Sequence, residues 1–338
     1  MEREITLGLI GAGRIGRVHA ESLAHRIQNI KLAAVADISL ETAEKCADDF
    51  QIPKATKDHY QIFENPNIDA VVICSSTDTH AQFIVEAAEA GKHIFCEKPI
   101  DHDLAKIDSA LEVVEKAGVK LQIGFNRRFD PSFKKVRDLV AAGKVGTPHV
   151  IRITSRDPGP PPIDYIKVSG GIFLDMTIHD FDMARYLIDS EVEEVYAVGG
   201  VMVDPRIGKA GDIDTAVVVL NYQNGAIGVI DNSREAIYGY DQRLEVFGSG
   251  GSVAALNKTP DESVLINAEG AHASKPLYFF IERYAESYIA EMQEFVDCLR
   301  EDREPSVTGV DGRVPVVMGL AAWKSYRENR PVKLSEIA

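Results

Sequence analysis

The sequence predicts an α/β protein in two parts: an N-terminal doubly wound parallel sheet, then a second α/β domain on a mostly antiparallel sheet. Three observations carry this. Short apolar runs alternate with amphipathic segments between residues 5 and 125. A glycine-rich turn, "GAGRIG", stands at the first strand-to-helix junction. From about residue 147 the pattern changes to strand-like runs joined by short turns.

In chain order, "ITLGLI" (5–10) is an apolar run ending in the glycine turn, and "RIGRVHAESLAHRI" continues as a helix. "KLAAVAD" (31–37) is the next strand and "LETAEKCADDF" the next helix. The alternation goes on with "DAVVICSS" (69–76), "THAQFIVEAAEAGK", "HIFCEKP" (93–99), "DLAKIDSALEVVEKAG" and "VKLQIGF" (119–125). Near-continuous apolar strands separated by helices imply a parallel sheet covered on both faces. The second part opens with "TPHVIRITSRD" and a stiff loop, "PGPPPIDY". It continues through "VEEVYAVGGVMV" (192–203), an Asn-Gly hairpin at 224–225 and "QRLEVFGSGGSVAA" (242–255), and closes with two helical stretches. The expected boundary gives a dinucleotide-binding domain at 1–124 and a substrate and oligomerisation domain at 125–338, with the final helical stretch a candidate to pack back on the first.

Composition sets bounds on function. The 338 residues carry 37 basic and 52 acidic side chains, a net charge of −15, which argues against a polyanionic partner such as nucleic acid. No apolar run approaches the roughly 18 residues of a membrane span. The N-terminus "MEREITLGLIGAG" enters a strand without a signal-peptide pattern, so a cytoplasmic protein is expected. Cys46, Cys74, Cys96 and Cys298 are scattered with no Cys/His ligand spacing, and no metal is expected.

The glycine turn has a physical reason at each position. Gly11 permits the tight turn, Gly13 lets the backbone approach a pyrophosphate, and Gly16 allows close packing of helix on strand. Gly11, Ala12, Gly13, Arg14, Ile15 and Gly16 therefore form the expected phosphate loop, with N–H groups of the following helix offered to the phosphates. Asp37 ends the second strand, where it would accept from the adenosine ribose hydroxyls and repel a 2′-phosphate. No Arg follows in "ADISLE", so NAD is expected over NADP. Ligands of such sheets bind at the carboxyl ends of the strands. The polar clusters there are "SSTDTH" (75–80), "EKP" (97–99) and "NRR" (126–128). They nominate Ser75, Ser76, Thr77, His80, Glu97, Lys98 and Asn126 for the cofactor site. His80 also has a plain reading as a helix-start polar residue, and Arg127 and Arg128 as an interface ion pair.

The stretch "GGIFLDMTIHDFDMARYL" (170–187) reads as a helix from about Ile172 to Ile188. At 100° per residue, Asp175, His179, Asp182 and Tyr186 share one stripe. That stripe is either a solvated face or a carboxylate–imidazole pair aimed into a site.

"GAGRIG", "EKP" and "GGIFLDMTIHDFD", in that order and spacing, resemble the glucose–fructose oxidoreductase/inositol dehydrogenase/MocA family. "LQIGFNRRFDPSF" and "YGYDQRLEVFGS" add to the likeness, which covers essentially the whole chain. The resemblance implies a Rossmann domain followed by an α/β domain with a large open-faced sheet, packed into a homotetramer. It implies NAD-linked oxidation of a small cyclic polyol, myo-inositol, to an inosose. Lys98, Asp175 and His179 match the family's catalytic positions, and Asp182 a further acidic one. Lys98, Arg128, Asp157, Asp175, His179, Tyr240 and Tyr288 match positions that contact substrate. Oxidising a secondary alcohol needs a hydride acceptor, which a nicotinamide supplies, and a base, for which His179 is suited. Asp175 would hold the imidazole or contact a substrate hydroxyl, and Lys98 would stabilise developing alkoxide charge. Two other functions fit the same residues: a dehydrogenase of another cyclic polyol or sugar (scyllo-inositol, D-chiro-inositol, glucose), and an NAD-binding regulator without catalysis.

Overall fold

The structure is a computed structural model and describes residues 4–337. The first three residues of the N-terminus read above, and Ala338, lie outside the described part. The chain divides into two compact units. One runs to Phe129 and includes Glu286–Val316; the other holds Asp130–Ala285 and the residues from Val317 onward.

The first unit contains an all-parallel sheet of six strands in the order β3-β2-β1-β4-β5-β6. These are β1 (Ile5–Ile10), β2 (Ile30–Ala36), β3 (Ala55–Thr56), β4 (Ala70–Ile73), β5 (His93–Glu97) and β6 (Leu121–Gly124). The strand order steps outward from β1 in both directions, the arrangement of a doubly wound Rossmann sheet. The two-residue β3 is too short to show as an apolar run. Leu7, Leu9, Val72 and Phe95 are wholly buried, because a parallel sheet hides both faces. Met292, Phe295 and Val296, from the helix Ala285–Glu301, join the same core. All four cysteines are buried and free.

The second unit holds a seven-stranded mixed sheet in the order β12-β11-β7-β10-β9-β8-β15. Its strands are β7 (Pro148–Arg156), β8 (Val192–Gly200), β9 (Thr215–Tyr222), β10 (Ile227–Ser233), β11 (Asp241–Gly248), β12 (Gly251–Ala255) and β15 (Val332–Lys333). A separate exposed hairpin pairs β13 (Val264–Asn267) with β14 (Gly270–Ala273). The expected Asn-Gly hairpin joins β9 to β10, with Gly225 at φ +85° and Asn224 Oδ1 accepting from Ala226 N–H at 3.0 Å. β7 and β10 pair in parallel and the other neighbouring strands antiparallel, so the sheet is mixed and mostly antiparallel, as expected. Burial alternates along β9 and β10, which leaves one face covered and the other open.

The helix expected over 172–188 is two helices, Ile172–Asp175 and Ile178–Ile188. Thr177 explains the break. Its hydroxyl approaches Ile172 O at 3.1 Å and lies 2.6 Å from Asn232 Oδ1 on β10, which draws the backbone out of register. Asp180 then anchors the second helix, accepting from Ser155 Oγ at 2.5 Å and Asn232 Nδ2 at 2.8 Å. Both Asp180 and Asp182 are fully buried, so the stripe through Asp182 is not a solvated face.

Candidate active site

The phosphate loop has the geometry that its glycines require. Gly11 sits at φ +95°, and a Cβ there would lie 2.5 Å from the carbonyl of Cys74. A Cβ on Gly16 would collide with the carbonyl oxygen of Gly11, so the helix Arg14–His25 packs as closely as the backbone allows. Gly13 has no heavy atom within 4 Å of that position, which leaves room for a phosphate to approach the backbone. Asp37 Oδ2 accepts from Ala12 N–H at 2.8 Å and Oδ1 from Ser39 N–H at 2.9 Å. The carboxylate is thus tied to the loop it is expected to serve. Ile38 beside it is 91% exposed. These features fit a dinucleotide.

At the other strand ends, Ser75 and Thr79 share a hydrogen bond of 2.7 Å, and Thr79 Oγ1 donates to Ser76 O at 2.7 Å. Ser76 and Thr77 open the helix Thr77–Glu89. His80 is buried with Nδ1 2.8 Å from Pro99 O and Nε2 3.1 Å from Ser75 O. Its ring ties the turn after β4 to the turn after β5. Glu97 ends β5, and its Oε1 lies 2.7 Å from His19 Nε2. Lys98 follows, half-buried, ahead of a cis bond to Pro99. Asn126 is buried with its amide nitrogen unpartnered. Arg128 donates to Asp311 Oδ1 at 2.9 Å, the ion-pair alternative, within its own unit. Tyr288 also lies in this unit, its ring 5.7 Å from that of His19.

In the second unit, carboxylates converge on one guanidinium. Asp175 Oδ2 accepts from Arg234 Nη1 at 2.8 Å, and Asp175 Oδ1 from Tyr165 Oη at 2.8 Å. Asp157 and Asp212 lie 3.7 and 3.9 Å from the same guanidinium, which is 2% exposed. Burial works against the Arg234 charge, yet Asp175 and Asp157 hold its pKa above the ordinary arginine value. Burial pushes the Asp212 carboxyl up, against the backbone N–H groups of Ile172 and Ile213 that it accepts from. Both Asp175 oxygens have a donor, so the side chain is oriented as an acceptor. His179 opens the second helix one turn after Asp175 and is half-buried. Tyr240 is buried, with its ring 6.1 Å from Tyr284. Arg234 is the residue that sequence reasoning missed. Its signal was a lone arginine directly after an apolar strand, and that alone does not reveal three carboxylates around it.

Comparison with known proteins extends these observations. Residues 5–125 match the family model described as an oxidoreductase family, NAD-binding Rossmann fold, and residues 133–254 match the GFO/IDH/MocA C-terminal domain. The chain is 53% identical over 331 residues to a myo-inositol 2-dehydrogenase of Thermotoga maritima, covering 98% of this chain and 99% of the relative. It is 45% identical over 332 residues to an inositol 2-dehydrogenase of Rhizobium meliloti, covering 98% and 99%. A solved scyllo-inositol dehydrogenase of Lactobacillus casei, with NAD(H) and scyllo-inositol bound, superposes with a TM-score of 0.92. That protein is 30% identical, and the match covers 98% of this chain and all of the other.

Proposed function

The chain belongs to the GFO/IDH/MocA family of NAD-binding oxidoreductases, and on that basis we propose that it oxidises myo-inositol to 2-keto-myo-inositol with NAD. The observation that carries the reading is the presence of the intact Lys98, Asp175 and His179 set in a chain 53% identical to a myo-inositol 2-dehydrogenase along nearly its full length.

The phosphate loop and Asp37 would hold the dinucleotide, with Ser75, Ser76, Thr77, Glu97 and Asn126 serving its nicotinamide half and His80 bracing that wall. Bound NAD supplies the hydride acceptor. His179 takes the hydroxyl proton, the task that suits an imidazole near neutral pH. Lys98 donates to the same oxygen and stabilises the charge that develops as its proton leaves. Asp175, with Arg234 and Tyr165 on its two oxygens, orients neighbouring groups rather than acting as the base. Asp157, Tyr240, Arg128 and Tyr288 complete the proposed substrate contacts. Ring hydroxyls donate well to carboxylates, which agrees with the acidic surroundings of Arg234.

We further propose a cytoplasmic homotetramer acting in inositol catabolism. No helix among the described residues is long and apolar enough to cross a membrane. The open face of the seven-stranded sheet presents Val198, Val217, Ile227 and Phe247, each at least 38% exposed, a surface suited to another copy of the chain.

The test is NAD reduction at about 340 nm with myo-, scyllo- and D-chiro-inositol and glucose, with NADP in parallel. Preference for myo-inositol with NAD is expected. Preference for another polyol replaces the substrate and keeps the chemistry. Tight NAD binding with no turnover on any polyol rejects the reading in favour of a regulator.

A further inference from the structure

In the first unit, three side chains far apart in sequence meet in the core: His19 from the helix Arg14–His25, Glu97 from the end of β5, and Glu291 from the helix Ala285–Glu301. One donor atom from each lies within 4.8 Å of the others, and all three residues are buried. His19 Nε2 is 2.7 Å from Glu97 Oε1 and 3.9 Å from Glu291 Oε1. Glu291 is 0% exposed, and neither carboxyl oxygen has a hydrogen-bond partner. Gln122 Oε1 and Ser287 Oγ are likewise unpartnered, while Gln122 Nε2 is spent on Glu291 O at 2.9 Å. The titratable groups beside the Glu291 carboxyl are His19, Glu97 and Cys74, and the Tyr288 ring packs on His19. An ionised Glu291 would add a second buried anion beside Glu97, with no hydrogen bond to either of its oxygens. A protonated one removes that second charge and carries a donor of its own.

We infer that Glu291 is held as the neutral acid, and that its proton completes a His19–Glu97–Glu291 unit which positions the Glu97 side chain next to Lys98. Burial, and then the Glu97 carboxylate, push the Glu291 carboxyl well above the ordinary glutamate range, in agreement with this geometry. Gly124 leaves no slack on the other side, since a Cβ there would stand 3.1 Å from the Glu97 carboxyl. The neutral acid belongs to the fold of the first unit. The positioning role rests on the proposed cofactor reading.

A carboxyl whose pKa is raised in the folded state contributes stability that is full below the ordinary glutamate range and is lost as pH rises through the folded value. Glu291→Gln mimics the neutral acid, so its stability relative to wild type should improve as pH rises. Infrared spectra of the full-length protein near neutral pH should show a protonated-carboxyl band that shifts in D2O and is missing from E291Q. Wild-type affinity for NAD should weaken at least about threefold as pH rises through the Glu291 ionisation, and E291Q should not follow it. Absence of the band in wild type overturns the inference, as does a stoichiometric metal ion in the purified protein. If E291Q does not fold, the wild-type infrared titration still decides the protonation state. Affinities of the two proteins that run together across pH remove the positioning role. If wild type binds no NAD at any pH, the proposed function fails while the infrared band still stands or falls by itself.

Discussion

At the scale of single residues, Asp175 is held by two donors, and the proposed roles of Asp175 and His179 are tested by substitution. Arg234 Nη1 donates to one Asp175 oxygen and Tyr165 Oη to the other, each at 2.8 Å. The proposed base is His179. His179→Ala should therefore lower kcat by about 10²–10⁴-fold while changing the Kd for NAD by less than about threefold. Single-turnover rates and fluorescence titration of NAD check this, and undiminished turnover would remove His179 from the mechanism. Arg234 is a positioning residue. Arg234→Gln should reduce kcat/KM by about 10–100-fold and move the acid limb of the pH–rate profile to higher pH, because Asp175 loses its counter-charge. Arg234→Lys should restore most of the activity and return the limb. A loss of stability in R234Q without a displaced limb would mean that Arg234 only holds the fold.

At the scale of elements, a buried polar knot sets the shape of the segment that carries Asp175 and His179. Thr177, Asp180, Ser155 and Asn232 bond to one another beneath it and pin the broken helix to β7 and β10. Asn232 bonds to Thr177, Asp180 and the Ser155 carbonyl, so it serves three partners at once. Asn232→Leu should cost about 2–4 kcal/mol, since it strands a buried carboxylate and a hydroxyl. Urea denaturation measures that cost, and a cost below about 0.5 kcal/mol would show that the knot is not what holds the break. Helical periodicity identified this segment as helical. It did not show the break, because the partners of Thr177 and Asp180 come from strands elsewhere in the chain.

At the scale of the molecule, the two units differ in how they use their sheets. The parallel sheet is buried on both faces, whereas the seven-stranded sheet leaves Val198, Val217, Ile227 and Phe247 exposed on one. An apolar face of that kind is unusual on a monomer. Light scattering should find a tetramer, and Val217→Asp together with Phe247→Asp should shift it to smaller species. A wild-type monomer at micromolar concentration would assign the face another role.

By itself the sequence determined what local chemistry can encode. Alternating apolar runs specify the parallel sheet because both of its faces are buried. Glycines 11, 13 and 16 with Asp37 specify the phosphate loop, because turn geometry and phosphate approach act within a few residues. Lys98, Asp175 and His179 were nominated through motifs that resemble those of the family. Only the tertiary structure decided which carboxylates share Arg234, that Arg128 pairs with Asp311, that His80 braces two turns, and that Glu291 returns from late in the chain to meet His19 and Glu97. The physical reason is the same in each case. A buried charge or polar group is defined by what surrounds it, and those neighbours are separated from it along the chain by whatever length the fold happens to close.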